Sequence, residues 1–194
     1  GLVENITIDS LHSYNTANVI FLRIGERYEG EKAKLNNVTI SNVYAEVPAG
    51  KPDAGYEYEG PVEDLPRNIS PASITGLPGQ YVTNVTLKNI TIVYPGGGNP
   101  NYAKVGTDAK SLNAIPEMPK AYPEFSQFKE LPAWGFYIRH AKGITFDNVT
   151  LTAEKPDYRP AIVLDDVHGG DLENVTINDP GKKKNEIVVF QSTD

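Results

Sequence analysis

The segment Val3-Glu4-Asn5-Ile6-Thr7-Ile8 carries the pattern that decides the fold. After an asparagine, two aliphatic residues flank a threonine, which is the alternation of a β-strand with its aliphatic side chains inward. Further copies are Leu35-Asn36-Asn37-Val38-Thr39-Ile40, Val82-Thr83-Asn84-Val85-Thr86-Leu87, Asp147-Asn148-Val149-Thr150-Leu151 and Leu172-Glu173-Asn174-Val175-Thr176-Ile177. We expect matching positions to stack, with these residues inward: Ile6, Ile8, Val38, Ile40, Val85, Leu87, Val149, Leu151, Val175 and Ile177.

The polar residues between the strands predict turns. An asparagine comes just before each strand, and a second polar residue often follows about five positions later, as at Ser10, Asn42 and Asn89. Asparagine tolerates left-handed backbone, and its amide both donates and accepts hydrogen bonds. Such residues, stacked at equivalent turns, are expected to form ladders of side-chain amides.

A second strand follows some copies at a regular offset. Val19-Ile20-Phe21-Leu22 follows Asn5, while Ala161-Ile162-Val163-Leu164 and Ile187-Val188-Val189-Phe190 follow the last two copies. The offset predicts a full turn of roughly 25–30 residues, within the range of solenoid repeats. Short β-branched strands at this period, without a helical pattern between them, predict an all-β fold: a right-handed parallel β-helix forming one domain over residues 1–194.

Two long insertions interrupt the period, at about residues 46–80 and 95–132. Both are rich in proline and carry aromatic residues, which are scarce in flexible linkers. We interpret them as ordered loops packed on one side of the solenoid. Such loops either build a binding surface or only cap and buttress the scaffold, and the sequence leaves both roles open.

Composition excludes several classes of function. The net charge of -7 argues against non-specific nucleic-acid binding, and no apolar run approaches the length of a membrane span. The chain has no cysteine, so it has no disulfide framework and no cysteine nucleophile. There is no N-terminal secretory pattern, and the repeat begins almost at once, so we expect the chain to start within the solenoid.

Three residues are candidates for binding a substrate. Arg23 and Arg27 follow the strand Val19–Leu22, where a planar guanidinium could bind a sugar carboxylate or instead form a salt bridge to a neighbouring coil. His12, His140 and His168 are expected to be surface or turn residues, but His140, at the end of Phe136-Tyr137-Ile138-Arg139, could instead face a cleft. No histidine has the spacing of a metal site, so neither a metal nor a cofactor is expected.

Two other motifs receive structural interpretations. Asp165-Asp166 resembles a catalytic pair, but adjacent strand residues point to opposite faces, so we expect a turn there. Six of seven Asn-x-Ser/Thr sequons coincide with the coil repeat, which explains them without glycosylation. The exception, Asn68, lies in the first insertion.

The ordered motifs together resemble glycoside hydrolase family 28, the polygalacturonase-like β-helix enzymes. They are the Asn-Val-Thr-Ile coils, the strand entering Arg23-Ile24-Gly25, the segment Gly135–His140 and the segment Arg159–Asp166. The resemblance implies inverting hydrolysis of pectic polysaccharides, with Arg23 matching the family's substrate-binding arginine. Gly25 stands where the family has lysine, and the family's acidic motifs have no counterpart here, so no catalytic residue is assigned.

The leading hypothesis is therefore the C-terminal segment of a glycoside hydrolase that acts on pectic or related plant polysaccharides, inactive by itself. The alternative is a non-catalytic β-helix that binds carbohydrate or a partner chain. A polysaccharide lyase ranks last, because no acidic calcium loop is present. The expected partner is a polysaccharide or oligosaccharide, the expected location periplasmic or secreted, and the uncapped N-terminal coil is expected to form homo-oligomers.

Overall fold

A single curled parallel β-sheet forms the architecture of the chain. The computed structural model describes residues 1–28, 30, 32–50, 68–102, 104–128, 130–181 and 183–193. The strands are β1 (Leu2–Ser13), β2 (Phe21–Arg23), β3 (Lys34–Glu46), β4 (Ala72–Thr75), β5 (Val82–Gly96), β6 (Phe136–Lys155), β7 (Ile162–Asn178) and β8 (Ile187–Phe190). A short helix α1 (Ala109–Asn113) and a 3-10 helix (Phe125–Phe128) lie between β5 and β6.

Every strand pairing in the sheet is parallel. One path runs β1-β3-β5-β6, while β2 pairs with β4 and β4 pairs with the first residues of β6. Strand β7 pairs with almost the whole of β6, and β8 pairs with the start of β7. The all-β class and the parallel stacking are thereby confirmed, and closure of the coils into a right-handed β-helix stays a prediction.

Left-handed residues bend the long strands at matching positions. Three columns of positive φ cross the described strands. The pairing registers align Asn5, Asn37, Asn84, Gly143 and Gly169 in the first, Ser10, Asn42, Asn89, Asn148 and Asn174 in the second, and His140, Asp166 and Gln191 in the third. Because asparagine and glycine tolerate this backbone best, the first two columns are built almost wholly from them.

The expected amide ladder is confirmed along the second column. Asn148 Nδ2 donates to Asn89 Oδ1 at 2.9 Å, and Asn89 Nδ2 donates to Asn42 Oδ1 at 3.0 Å. Asn42 Nδ2 then donates to Asp9 Oδ1 at 2.7 Å. These side-chain bonds thus connect the bends of neighbouring strands, in addition to the backbone pairing.

The predicted core register is confirmed in the interior strands. Val38, Ile40, Val85, Leu87, Val149 and Leu151 are buried, whereas the threonines between them are partly exposed. At the two ends of the stack the same pattern is less covered: Ile6, Val175 and Ile177 are half-buried, and Ile8 is 41% exposed.

The expected stacking of the copies is wrong at one point. Val85 does not pair with Val149 but with Ile144, and Val149 pairs with Ile90. The long strands carry two bends, and in β5 both bends are followed by the same aliphatic-threonine-aliphatic order. Similarity of sequence therefore could not tell which bend of β5 lies beside Asn148.

The two insertions contain more regular structure than the predicted loops. The first contains a strand, β4, so it is not loop throughout, and its residues 51–67 lie outside the described part of the chain. The described part of the second packs on the outward face of the sheet, as expected. Its Leu112, Ile115, Phe128 and Leu131 form a second apolar cluster with outward residues of the strands, which include Phe21, Tyr137, Val163 and Val188.

Candidate functional site

A cleft opens at the end of strand β2, where Arg23 is the last residue of the strand and Arg27 follows in the loop. Its volume is about 300 Å³. Its far wall comes from the second insertion, so residues distant in sequence meet there. The lining residues are Gly1, Arg23, Gly25, Glu26, Arg27, Tyr28, Ala33, Ala121 and Pro123.

Arg23 fastens the second insertion to the sheet. Its NH1 donates to the carbonyl of Tyr122 at 2.8 Å, and its NH2 donates to the carbonyl of Met118. Its guanidinium also lies 4.9 Å from the centre of the Phe128 ring. Burial lowers the pKa of Arg23 from its ordinary value, which still leaves it charged at any physiological pH. Arg23 therefore lines the cleft while two of its nitrogens hold the cleft wall.

Arg27 is the more available of the two arginines. Its side chain is exposed, and its guanidinium stacks 4.5 Å from the centre of the Tyr122 ring. This cation–π contact orients the guanidinium without using up its in-plane donors. Tyr28 and Tyr122 are exposed beside it, at 76% and 60%. An exposed planar cation beside exposed aromatic rings suits a ligand that combines a carboxylate with a sugar ring.

His140 lies at the third bend column, away from the lining of this cleft. Its Nδ1 is 2.5 Å from Asp166 Oδ2, and its Nε2 is 3.1 Å from Glu117 Oε1. Asp166 Oδ1 is in turn 2.6 Å from His168 Nε2. Burial opposes the charged form, but the hydrogen bonds to the two carboxylates raise the pKa of His140 above its ordinary value. For Asp166 burial also opposes ionisation, and the bonds from both histidines hold its pKa below the usual range.

Asp165 is connected to the same network through Arg139, which also pairs with Glu117 of the second insertion. Asp165 is 2% exposed, and its Oδ2 lies 3.1 Å from Arg139 Nε. Burial raises the pKa of Asp165, against the opposing charge of Arg139. The sequence predicted a turn at Asp165-Asp166, but both residues lie within β7, because the strand bends at Asp166, which has φ 56°, and then continues. Asp165 is too buried to reach a polysaccharide.

Several members of the network could not be recognised from the sequence. Glu117 lies in an insertion without periodicity, so nothing local connected it to His140. His168 was interpreted as a surface or turn residue, yet its Nδ1 also lies 2.8 Å from Thr193 Oγ1. Alignment of the segment Arg139-His140 with the segment Asp165-Asp166 would have predicted the network, because the two segments pair in register and place His140 beside Asp166.

The site offers binding groups rather than an acid–base pair. Among the described residues that line the cleft, Glu26 alone carries a carboxylate, and its Oε2 accepts from Gln80 Nε2 at 3.0 Å. Within the described part of the chain there is also no group of three or more histidine, aspartate and glutamate side chains placed to hold a metal ion. Nor does any described helix have the length and apolar character needed to cross a membrane.

Comparison of the chain with protein-family models, with curated protein sequences and with solved structures found no match. The assignment of a function therefore depends on the residues of the site.

Proposed function

We propose that the chain is a segment of a right-handed parallel β-helix that binds acidic plant polysaccharides of the pectic type. In this proposal it corresponds to the C-terminal coils of a polygalacturonase-like glycoside hydrolase and does not itself supply the catalytic carboxylates. The observation that carries the proposal is the cleft between β2 and the second insertion, with Arg27 stacked on Tyr122.

The solenoid part of the proposal is supported by the bends and the parallel register. Residues after each bend pair in register with the next coil, so the chain returns to the same sheet position once per turn. Parallel strands in one sheet are connected by right-handed crossovers in nearly all proteins, which favours the right-handed solenoid.

The ligand class follows from charge and shape. The protein carries a net charge of -7, so an anionic polymer needs a local cationic point to approach. Arg23 and Arg27 supply that positive charge, and the guanidinium of the exposed Arg27 can pair with a carboxylate through two parallel hydrogen bonds. The exposed rings of Tyr28 and Tyr122 offer apolar surface to the faces of the sugar rings. A uronate polymer outside the cell further implies a secreted or periplasmic protein.

A non-catalytic binding module is the second candidate, favoured by the presence of one carboxylate, that of Glu26, among the described residues that line the cleft. Inverting hydrolysis needs one carboxyl group to protonate the leaving oxygen and a second to activate water on the other side of the sugar. Both candidates therefore predict binding by this chain, and they differ in whether hydrolysis occurs once further coils complete the cleft.

The binding test is calorimetric titration of the chain with galacturonate oligomers and with neutral galactose oligomers of equal length. We expect Arg27→Gln to weaken binding of the acidic oligomer about tenfold, the loss of one charge-assisted contact, and to leave neutral binding unchanged. Lys88→Gln is the matched control, because Lys88 is an exposed cation that pairs with Asp147 and is not among the described residues that line the cleft. Equal affinity for acidic and neutral oligomers would contradict the proposed ligand.

The test of catalysis is the release of reducing sugar from polygalacturonate. None is expected from the parent chain. If the parent turned over substrate and Asp165→Ala/Asp166→Ala abolished that turnover, those two residues would be the catalytic pair and the proposal would be wrong.

A further inference from the structure

The outer wall of the cleft is a segment of the second insertion, residues 115–123, which we name the wall segment. It is tied to the sheet at two places. At the cleft end Arg23 binds the carbonyls of Met118 and Tyr122, and the amide of Glu26 donates to the carbonyl of Pro119 at 2.8 Å. The other end of the wall segment lies over β6.

At that second place a cluster of charged groups holds Glu117. Arg139 NH1 donates to the carbonyl of Ile115 at 2.8 Å, and Arg139 NH2 lies 3.0 Å from Glu117 Oε1. His140 Nε2 lies 3.1 Å from the same carboxylate oxygen. Arginine keeps its charge in proteins, whereas histidine titrates near neutral pH, so the contact of Glu117 with His140 is the one that can change with pH.

With ionised carboxylates on both sides, only a doubly protonated His140 satisfies this geometry. Its two ring nitrogens face carboxylate oxygens of Asp166 and Glu117, at 2.5 Å and 3.1 Å. An ionised carboxylate can only accept hydrogen bonds, so both nitrogens must carry protons to satisfy both contacts. A neutral imidazole would satisfy one and turn a lone pair toward the other carboxylate.

We propose that His140 is a positioning residue for the cleft: as an imidazolium bonded to Asp166 of β7, it holds Glu117, and with it the wall segment, against β6. This inference rests on the proposed function, because Tyr122 of the wall segment is the ring on which Arg27 stacks. When His140 loses a proton, the longer contact to Glu117 loosens first and the wall becomes more mobile. Binding of the acidic sugar therefore weakens as the pH rises.

The charged and titratable groups around His140 come from four directions. Arg139 precedes it on β6, and Asp165 and Asp166 act on it from β7, where Asp166 also bonds to His168. Glu117 comes from the wall segment, and the ring of Tyr81 lies 6.4 Å away. The positive charge of Arg139 opposes protonation of His140, whereas the carboxylates favour it.

The direction of the pH effect follows from these neighbours. The pKa of His140 is raised, so its stabilising contribution is complete below the ordinary histidine value of about 6.5 and is lost as pH rises through the folded value. The pKa of Asp166 is lowered, so its carboxylate stays ionised at mildly acidic pH. The clamp should thus be strongest at mildly acidic pH and weaker at alkaline pH.

Two substitutions separate the contacts of His140. In His140→Asn the amide nitrogen takes the place of Nδ1, which keeps the bond to Asp166 but cannot reach Glu117, and asparagine tolerates the left-handed bend. In His140→Gln the longer amide reaches toward Glu117 and does not titrate. Glutamine is also compatible with this column, because Gln191 has φ 49° at the equivalent bend and His140 has φ 50°.

The experiment is hydrogen exchange of the wall segment, followed by mass spectrometry at about pH 5.5 and about pH 8, on either side of the ordinary histidine pKa, and corrected for intrinsic exchange. In the parent we expect about three- to tenfold slower exchange at the acidic pH, the range for one charge-assisted hydrogen bond that is partly exposed. His140→Gln should show protection without pH dependence, and His140→Asn should be as unprotected at both values as the parent is at alkaline pH. Peptides from β5 are the internal control and should not respond.

The inference is overturned if His140→Asn keeps the pH-dependent protection of the parent, or if the parent shows none. Should the asparagine variant fail to fold, persistence of the pH dependence in His140→Gln overturns it equally. Affinity for galacturonate oligomers, measured at both pH values, is the second readout and should fall in parallel with protection. If sugar binding alone were absent, the proposed function would be wrong. The hydrogen-exchange experiment would still test the role of His140.

Discussion

At the scale of the residue, asparagine has two tasks in this protein. Asn89 has φ 52°, a backbone conformation that costs other L-residues about 1–2 kcal/mol, and its side chain bonds to the asparagines of both neighbouring strands, β3 and β6. Asparagine is the residue that combines tolerance of this backbone with an amide that donates on one side and accepts on the other. The recurring Asn-Val-Thr motif is thus explained by conformation and hydrogen bonding, without glycosylation.

Substitution of Asn89 separates these two tasks. We expect Asn89→Ala to lower the free energy of unfolding by about 2 kcal/mol, because it loses both the left-handed preference and the ladder bonds. Asn89→Gly keeps the backbone freedom and should cost only about 1 kcal/mol. Urea unfolding of the two variants measures the difference. Equal losses would show that the backbone conformation contributes nothing.

The sequon residue Asn68 shows how burial changes the meaning of a motif. Asn68 is 7% exposed, its backbone amide and its Nδ2 both donate to the carboxylate of Glu130, and its Oδ1 accepts from the amide of Asn99. It was the one sequon outside the coil repeat, where a glycan would be most easily accepted. Instead its hydrogen bonds join the first insertion to both ends of the second.

At the scale of the element, each long strand passes through more than one environment. Strand β6 pairs with β4 over Phe136–Arg139 and with β5 over Ala141–Lys155, with the bend at His140 between them. At the bend the direction of the side chains relative to the sheet changes. Inward and outward side chains therefore alternate strictly only between two bends. This is why the columns of inward residues restart after every left-handed position.

The same motif should therefore have unequal energetic weight in different strands. Leu87 in β5 is fully buried, and we expect Leu87→Ala to cost about 2–5 kcal/mol of unfolding free energy, the range for a cavity in a packed core. Ile8 is the matching residue of β1 and is 41% exposed, so Ile8→Ala should cost about 1 kcal/mol or less.

Chemical denaturation of both variants tests that difference, with Thr86→Ala as a solvent-side control in β5. A loss at Ile8 as large as the loss at Leu87 would mean that β1 is covered in solution, since an exposed side chain cannot leave a large cavity.

At the scale of the whole molecule, the sheet has an open edge at β1. Within the described part of the chain, β1 pairs on one side only, with β3. Its exposed fractions are high for apolar residues: 60% for Leu2, 49% for Val3 and 39% for Leu11. An unpaired edge with apolar side chains favours pairing with another strand.

We expect the chain of residues 1–194, by itself, to self-associate through β1. Ile8→Lys places a charge in the exposed apolar column and should shift the population toward monomer, whereas Thr86→Lys, on the solvent side of an interior strand, should not. Sedimentation velocity over a wide concentration range gives the measurement. A parent chain that stays monomeric at all concentrations contradicts this expectation.

The sequence predicted individual residues of the site but not the partners that they contact. The positions of Arg23 and Arg27 after a strand were visible because a strand end is a local feature. Their partner Tyr122 was not, because it lies about a hundred residues away in a segment whose conformation is set by packing on the sheet. His140 was recognised as a candidate, but its two carboxylates meet it only when β7 and the wall segment are in place.

The sequence by itself determined the strand alternation, the left-handed asparagine bends and the parallel stacking, because each depends on the conformational preferences of residues close in the chain. Only the tertiary structure decided that Val149 lies beside Ile90, since the two bends of β5 are followed by the same local pattern and long-range packing alone chooses between them. Only the tertiary structure likewise brought Glu117 to His140 and Met118 to Arg23. Those contacts join segments without shared periodicity, and they form because the apolar residues of the second insertion are buried against the outward face of the sheet.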